Sequence, residues 1–192
     1  SKKVNRQRLK KQERFGKKLN LRKRMVEEVY HVDEEDNVIA KVTRKEMREN
    51  KLLHRAICVL VFNSKGQMLI QKRTTTKDIN PGRYEIGIGG TVDYGEEYEN
   101  TAIREISEEA GIKDARPKFM FKYLYMDDHT KVISSVYKII YGGEIKSQKE
   151  EVETAEFMDV EKVKEIIKTE SFCDDDLDLF NFYLEEYHEK KD

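Results

Sequence analysis

Two cysteines, Cys58 and Cys173, are all that this sequence holds. They are too few for a disulfide framework and form no CxxC pair, so a reduced, cytoplasmic compartment is expected. Cys58 lies in an apolar run and is expected to be buried. No apolar run approaches the ~20 residues that a membrane-spanning helix needs. The basic N-terminus has no apolar stretch behind it, which argues against a secretory signal. A single serine there argues against an organellar transit peptide. Internal repeats are lacking, and His31, His129 and His188 show no metal-ligand spacing.

What the chain has in excess is charge. Asp, Glu, Lys and Arg make up 39 % of its 192 residues, against roughly a quarter in an average domain. The net charge of -1 hides an asymmetry. Residues 1–24 hold twelve Lys or Arg and one acid, Glu13, whereas residues 25–192 hold 25 basic and 37 acidic side chains. A basic arm over 1–24 thus precedes one acidic domain over 25–192. Phe15 and Leu19 are four residues apart, so part of the arm is expected to be helical. Its net charge of +11 would neutralise several nucleic-acid phosphates. Phe15 is its only aromatic residue, however, and single-strand binders need stacking platforms. Contact with the domain's own acidic surface, or with a second subunit in a homodimer, is the preferred expectation.

Apolar periodicity outlines a mixed sheet with helices packed on it. Strands are predicted at 29–32, 38–42, 56–62, 68–71, 84–88, 119–126, 132–141 and 156–158. Thr43, with Glu46 three residues on, predicts a capped short helix to Glu49. Helices are further predicted over 102–110, stopped by Gly111, and over 160–168 and 177–187. This order points to an α/β sandwich.

The most informative stretch runs from Gly89 to Ile112, GGTVDYGEEYENTAIREISEEAGI. Glu105, Glu108 and Glu109 stand at i, i+3 and i+4 and share one helix face. With Glu105 at zero on a wheel of about 100° per residue, Glu109 falls near 40° and Glu108 near 300°. Ile103, Ile106 and Ala110 gather near 100° to 160°, an apolar side for packing. Like charges this close repel, and a cation is the ordinary remedy. Mg²⁺ prefers oxygen ligands, mostly carboxylates, water and phosphate. Glycines 87, 89 and 90 allow close backbone approach, and a free carbonyl there is a further candidate ligand. Arg104 stands beside the carboxylates, four residues before Glu108. A lone glutamate in so acidic a chain is ordinary surface. Seven fixed and two aliphatic positions at set spacings are not.

This stretch resembles the Nudix box, G-x5-E-x7-R-E-U-x-E-E-x-G-U with U aliphatic, with every specified position filled. The flanking chain from about Glu28 to Tyr187 is similar to that superfamily too. The resemblance implies an α/β/α sandwich with a mixed sheet. It also implies Mg²⁺- or Mn²⁺-dependent hydrolysis of a phosphoanhydride bond in a nucleoside diphosphate derivative. By position, Glu105, Glu108, Glu109 and the Gly89 carbonyl would ligate metal, and Gly90, Glu96 and Arg104 would orient the loop and helix. A further glutamate after the box often serves as base or ligand. Glu151, in the run Glu150-Glu151-Val152-Glu153, is the candidate here.

The region before the box resembles the isopentenyl diphosphate isomerase branch, through Val32-Asp33, Asn37-Val38-Ile39, Arg44, Leu53-His54-Arg55-Ala56, Gln71-Lys72-Arg73, Lys77 and Pro81-Gly82. That branch implies that Arg73 and Lys77 bind the substrate diphosphate. It also gives His54 a ligand role, beside which a structural histidine opening a buried strand is equally expected. Isomerisation itself is disfavoured. Gly89 stands where the isomerase has its catalytic Cys, Thr91 where it has His, and no Glu occurs at 129–131. The expected activity is therefore hydrolysis of a small-molecule diphosphate. Isomerisation, or processing of RNA through the basic arm, is the alternative.

Overall fold

The computed structural model describes residues 27–188, and the arm over 1–24 lies outside the described residues. Nine strands form one mixed sheet: β1 (Glu28–Val32), β2 (Val38–Thr43), β3 (His54–Phe62), β4 (Met68–Arg73), β5 (Tyr84–Ile86), β6 (Ile88–Thr91), β7 (Lys118–Met126), β8 (Lys131–Ile140) and β9 (Val152–Met158). The helices are α1 (Arg44–Glu49), α2 (Tyr98–Glu109), α3 (Val160–Ile166) and α4 (Asp174–Tyr183), the last continuing as a π-helical turn, Leu184–His188. No helix among the described residues is long and apolar enough to cross a membrane.

β3 is the spine. One edge runs parallel to β8 from His54↔Val132 to Phe62↔Ile140. The other edge is shared by β1, β6 and β4 in turn. Buried on both faces, β3 is a continuous apolar run rather than an alternating one. Ile57, Val59 and Val61 meet Ala102, Ile106 and Ala110 of α2. Cys58, Leu60 and Phe62 meet Phe172 and the Leu179, Phe180 and Tyr183 side of α4. The result is the expected α/β/α sandwich. Each such side chain taken out of water stabilises the fold by roughly 1.5–3 kcal/mol.

Several boundaries differ from the sequence expectation. The strand predicted over 84–88 breaks at Gly87, whose φ is 80°. A Cβ there would lie 2.2 Å from the Val59 carbonyl oxygen. The chain uses this glycine to change partners, so that β5 pairs with β4 and β6 with β3. α2 begins at Tyr98, a turn earlier than periodicity suggests, and Ile103 is exposed. The buried row is Ala102, Ile106 and Ala110. Glu109 flanks that row and lines the cavity described below. β9 starts at Val152, because ladder pairing with Arg73 of β4 extends it beyond its apolar part. α4 starts at Asp174, where three aspartates occupy a first turn that favours negative charge. α1 carries the expected capping box between Thr43 and Glu46. Cys58 and Cys173 are both buried and unbridged.

Candidate active site

One cavity of about 480 Å³ receives Gly89, Gly90, Arg104, Glu105, Glu108 and Glu109, together with Arg73, Lys77 and Glu151. Of the sequence-derived candidates, only Glu96 stands behind this wall. It accepts from Nη2 of Arg104 at 2.8 Å and from Nε at 3.1 Å. The buried Thr101 hydroxyl donates to it at 2.9 Å. Held this way, Arg104 extends its other nitrogen to Glu105, and more loosely to Glu108 at 3.4 Å. The expected Arg104–Glu108 pair is thus the weaker of its contacts. Glu96 and Glu105 grip the guanidinium first.

Gly90 has a specific steric reason. A Cβ on it would lie 2.5 Å from Cγ and 2.8 Å from Oε1 of Glu105. Only a bare backbone lets that carboxylate settle on β6. Gly89 is different, since a Cβ there would meet nothing closer than 3.9 Å. What matters at Gly89 is its carbonyl. Hydrogen-bonded pairs alternate along an antiparallel ladder. Val92 N–H donates to the Arg55 carbonyl at 3.0 Å, so Ile57 and Gly90 form the next bonded pair. Cys58↔Gly89 is the intervening pair, and the Gly89 carbonyl points off the β3 ladder.

Glu151 is positioned from two sides. Its backbone carbonyl accepts from Thr74 N–H at 3.0 Å, and its carboxylate accepts from Lys77 Nζ at 3.0 Å. Gln148 ties the same loop to α2, donating to the Glu108 carbonyl at 2.8 Å. Arg73 donates from Nε to the Ile79 carbonyl at 3.1 Å and pairs with Glu85. Both expected diphosphate ligands, Arg73 and Lys77, therefore rest on carboxylates within the cavity. His54 is buried, and its Nδ1 lies 3.2 Å from the Leu52 carbonyl oxygen. Burial holds its pKa below the usual value.

The electrostatics are dominated by crowded acids. Burial pushes Glu109 well above the ordinary carboxylate range, and the charges of Glu85, Glu105 and Glu151 push it further. Burial also lifts Glu105 to about 7, with Arg104 opposing and Glu108 adding. Glu85, Asp175 and Asp176 line the same space and were missed by sequence reading. Burial raises Asp176 strongly, and its carboxylate accepts from Ile86 N–H at 3.0 Å. The triplet Asp174–Asp176 was a visible signal. Glu85 gave none, because its direction follows from the break at Gly87.

Among the described residues, no three acidic, His or Cys side chains stand close enough to hold a metal ion as placed. Arg104 accounts for part of this, since it draws Glu105 to itself. The donor set still suits a hard divalent cation. It is all oxygen, it shares one cavity, and the mutual repulsion around Glu109 is the kind that such a charge relieves.

Comparison with known proteins shows the fold and the family. Residues 52–175 match the NUDIX domain family. An uncharacterized Nudix hydrolase of Pseudomonas aeruginosa is 32 % identical over 154 residues, covering 80 % of this chain and 91 % of that protein. The crystal structure of DR0079 from Deinococcus radiodurans superposes with a TM-score of 0.66 at 23 % identity, over 78 % of this chain and 94 % of that one. The NUDIX domain of Shewanella oneidensis NrtR, solved with ADP ribose, superposes with a TM-score of 0.55 at 16 % identity, over 73 % of this chain and 96 % of that one. The last two likenesses speak for the fold. The domain match and the Pseudomonas relative speak for the family, and the chain is a member of the Nudix hydrolases.

Proposed function

We propose that the protein hydrolyses a phosphoanhydride bond in a nucleoside diphosphate derivative, with Mg²⁺ held by Glu105, Glu108, Glu109 and the Gly89 carbonyl. The observation that carries this reading is the meeting of those groups with Glu151, Arg73 and Lys77 in one cavity. A bound Mg²⁺ would neutralise diphosphate charge and acidify a water ligand. Arg73 and Lys77 take the diphosphate oxygens, exchanging their carboxylate partners for phosphate. When Lys77 turns to phosphate, Glu151 is released to accept a proton from the attacking water. The water oxygen bonds to phosphorus, the bridging P–O bond breaks, and the electron pair leaves on the departing phosphate. Thr101 fixes Glu96, Glu96 holds Arg104, and Arg104 orients Glu105.

The test is hydrolysis of a panel of nucleoside and isoprenoid diphosphates with Mg²⁺ and with Mn²⁺. Release of a phosphate-containing product from at least one nucleoside diphosphate derivative is expected. No release from any of them would sink the reading.

Isomerisation has one observation in its favour. Cys58 faces Gly89 across the β3–β6 ladder and lines the cavity. Burial holds its thiol firmly protonated, and it hydrogen-bonds the Ile86 carbonyl at 3.7 Å. Conversion of isopentenyl diphosphate to dimethylallyl diphosphate would replace hydrolysis as the favoured reading.

A further inference from the structure

α2 ends where its carboxylates are concentrated. Glu105, Glu108 and Glu109 crowd its C-terminal end, and its last turn holds no basic side chain. The C-terminus of a helix disfavours negative charge and leaves its final carbonyls without partners inside the helix. Here the loop between β8 and β9 supplies partners. Lys146 N–H donates to the Ala110 carbonyl at 2.9 Å, and Gln148 Nε2 donates to the Glu108 carbonyl at 2.8 Å.

Gln148 has a second hold, through its backbone. Its carbonyl accepts from Glu151 N–H and from Val152 N–H, both at 2.9 Å, which closes the turn that carries Glu151. A single residue therefore links the main chain at Glu108 to the main chain at Glu151. On its other side the turn rests on Thr74, just after β4. Thr74 N–H donates to the Glu151 carbonyl at 3.0 Å, and the Thr74 hydroxyl donates to the Glu150 carbonyl at 3.1 Å. The turn is gripped between β4 and α2, and on the α2 side the grip is the Gln148 amide.

The residue type suits the place. A lysine or arginine would satisfy the same carbonyl. Gln148 lines the cavity, however, and a cation there would pair with the carboxylates of Glu108 and Glu109. The amide satisfies the carbonyl and adds no charge to compete with a metal ion. It is half-buried, so its hydrogen bond is partly shielded from water.

We propose that Gln148 is a positioning residue, which sets the turn carrying Glu151 against the last turn of α2 and so fixes the base relative to the metal ligands. The proposal rests on the reading that Glu151 accepts a proton from the attacking water. Proton transfer needs an approach of about 2.6–3.2 Å. A shift of about 1 Å is enough to cost a large factor in rate.

The experiment compares Gln148→Ala and Gln148→Glu with Lys149→Ala, a change at the exposed neighbour on the same turn. At neutral pH the glutamate keeps the shape and loses the donor. In the metal-free full chain, amide hydrogen exchange at Glu151 and Val152 should quicken at least about tenfold in both Gln148 variants and stay unchanged in Lys149→Ala. With Mg²⁺ and a nucleoside diphosphate derivative that the wild type hydrolyses, both Gln148 variants should lose at least about tenfold in kcat, with KM within about threefold. Added to Glu151→Gln, Gln148→Ala should lower kcat by no more than about twofold further, because it acts through a carboxylate already removed. Unchanged exchange, unchanged kcat, or a full additive loss in the double variant overturns the proposal while leaving the hydrolase reading intact. Absence of hydrolysis by the wild type sinks the hydrolase reading, and exchange alone then decides whether Gln148 sets the turn.

Discussion

Lys77 Nζ donates to Glu151 Oε2 at 3.0 Å, joining two loops that lie 74 residues apart in the chain. The pair lines the cavity, where on the proposed reading an incoming phosphate would compete with the carboxylate for the ammonium. Lys77→Ala should therefore raise KM at least about tenfold and change kcat less. Glu151→Gln should lower kcat by about 10²–10⁴ with KM little changed. Steady-state kinetics on the two variants separate the roles. Equal loss of kcat in both would mean that the pair only supports the loop.

Glu109 is surrounded by Glu85, Glu105 and Glu151, and burial already disfavours its charge. Glu109→Gln should cut activity at least about a hundredfold. It should not destabilise the metal-free protein, because it removes a buried carboxyl whose charge is disfavoured and leaves a neutral amide of the same shape. A thermal midpoint several degrees below wild type would contradict this account of the site.

The raised acids also set a pH dependence. A carboxyl whose folded pKa lies above its unfolded value stabilises the fold below the unfolded value, and that stability is lost as pH rises through the folded value. Glu105 covers the window from about 4.5 to about 7, and Glu109 and Asp176 move in the same direction. The depressed acids Asp33, Asp36, Glu46 and Asp127 act only at more acidic pH. Without metal, the protein should melt higher at pH 6 than at pH 8, by about 2–4 °C for each kcal/mol involved. Added Mg²⁺ should shrink the difference by stabilising the charged carboxylates at pH 8. Calorimetric scans at the two pH values, with and without Mg²⁺, check the sign.

Two glycines should fail in different ways. Gly87→Ala sets a Cβ 2.2 Å from a backbone oxygen at a φ of 80°, where relief requires main-chain movement. It should cost about 2 kcal/mol or more in stability. Gly90→Ala meets the Glu105 side chain first, at 2.5 Å. That side chain can turn away, so the fold should survive with a small change in melting while activity falls steeply. Similar melting of the two variants would remove the distinction.

The sequence by itself determined the family and the shared face of its glutamates. Glu105, Glu108 and Glu109 share a face because a helix repeats every 3.6 residues, a local rule that needs no distant partner. The capping box at Thr43 and the continuous apolar strand at 56–62 were legible for the same reason. Only the tertiary structure decided which other groups meet those glutamates. Glu85 enters the cavity because Gly87 turns the chain between two partners, and periodicity cannot see that break. Asp175 and Asp176 arrive on α4, Gln148 and Glu151 on a loop anchored to α2, and Arg48 on α1. Their convergence follows from strand order and from the packing of two helical layers on β3. These are long-range relations that no window of sequence contains.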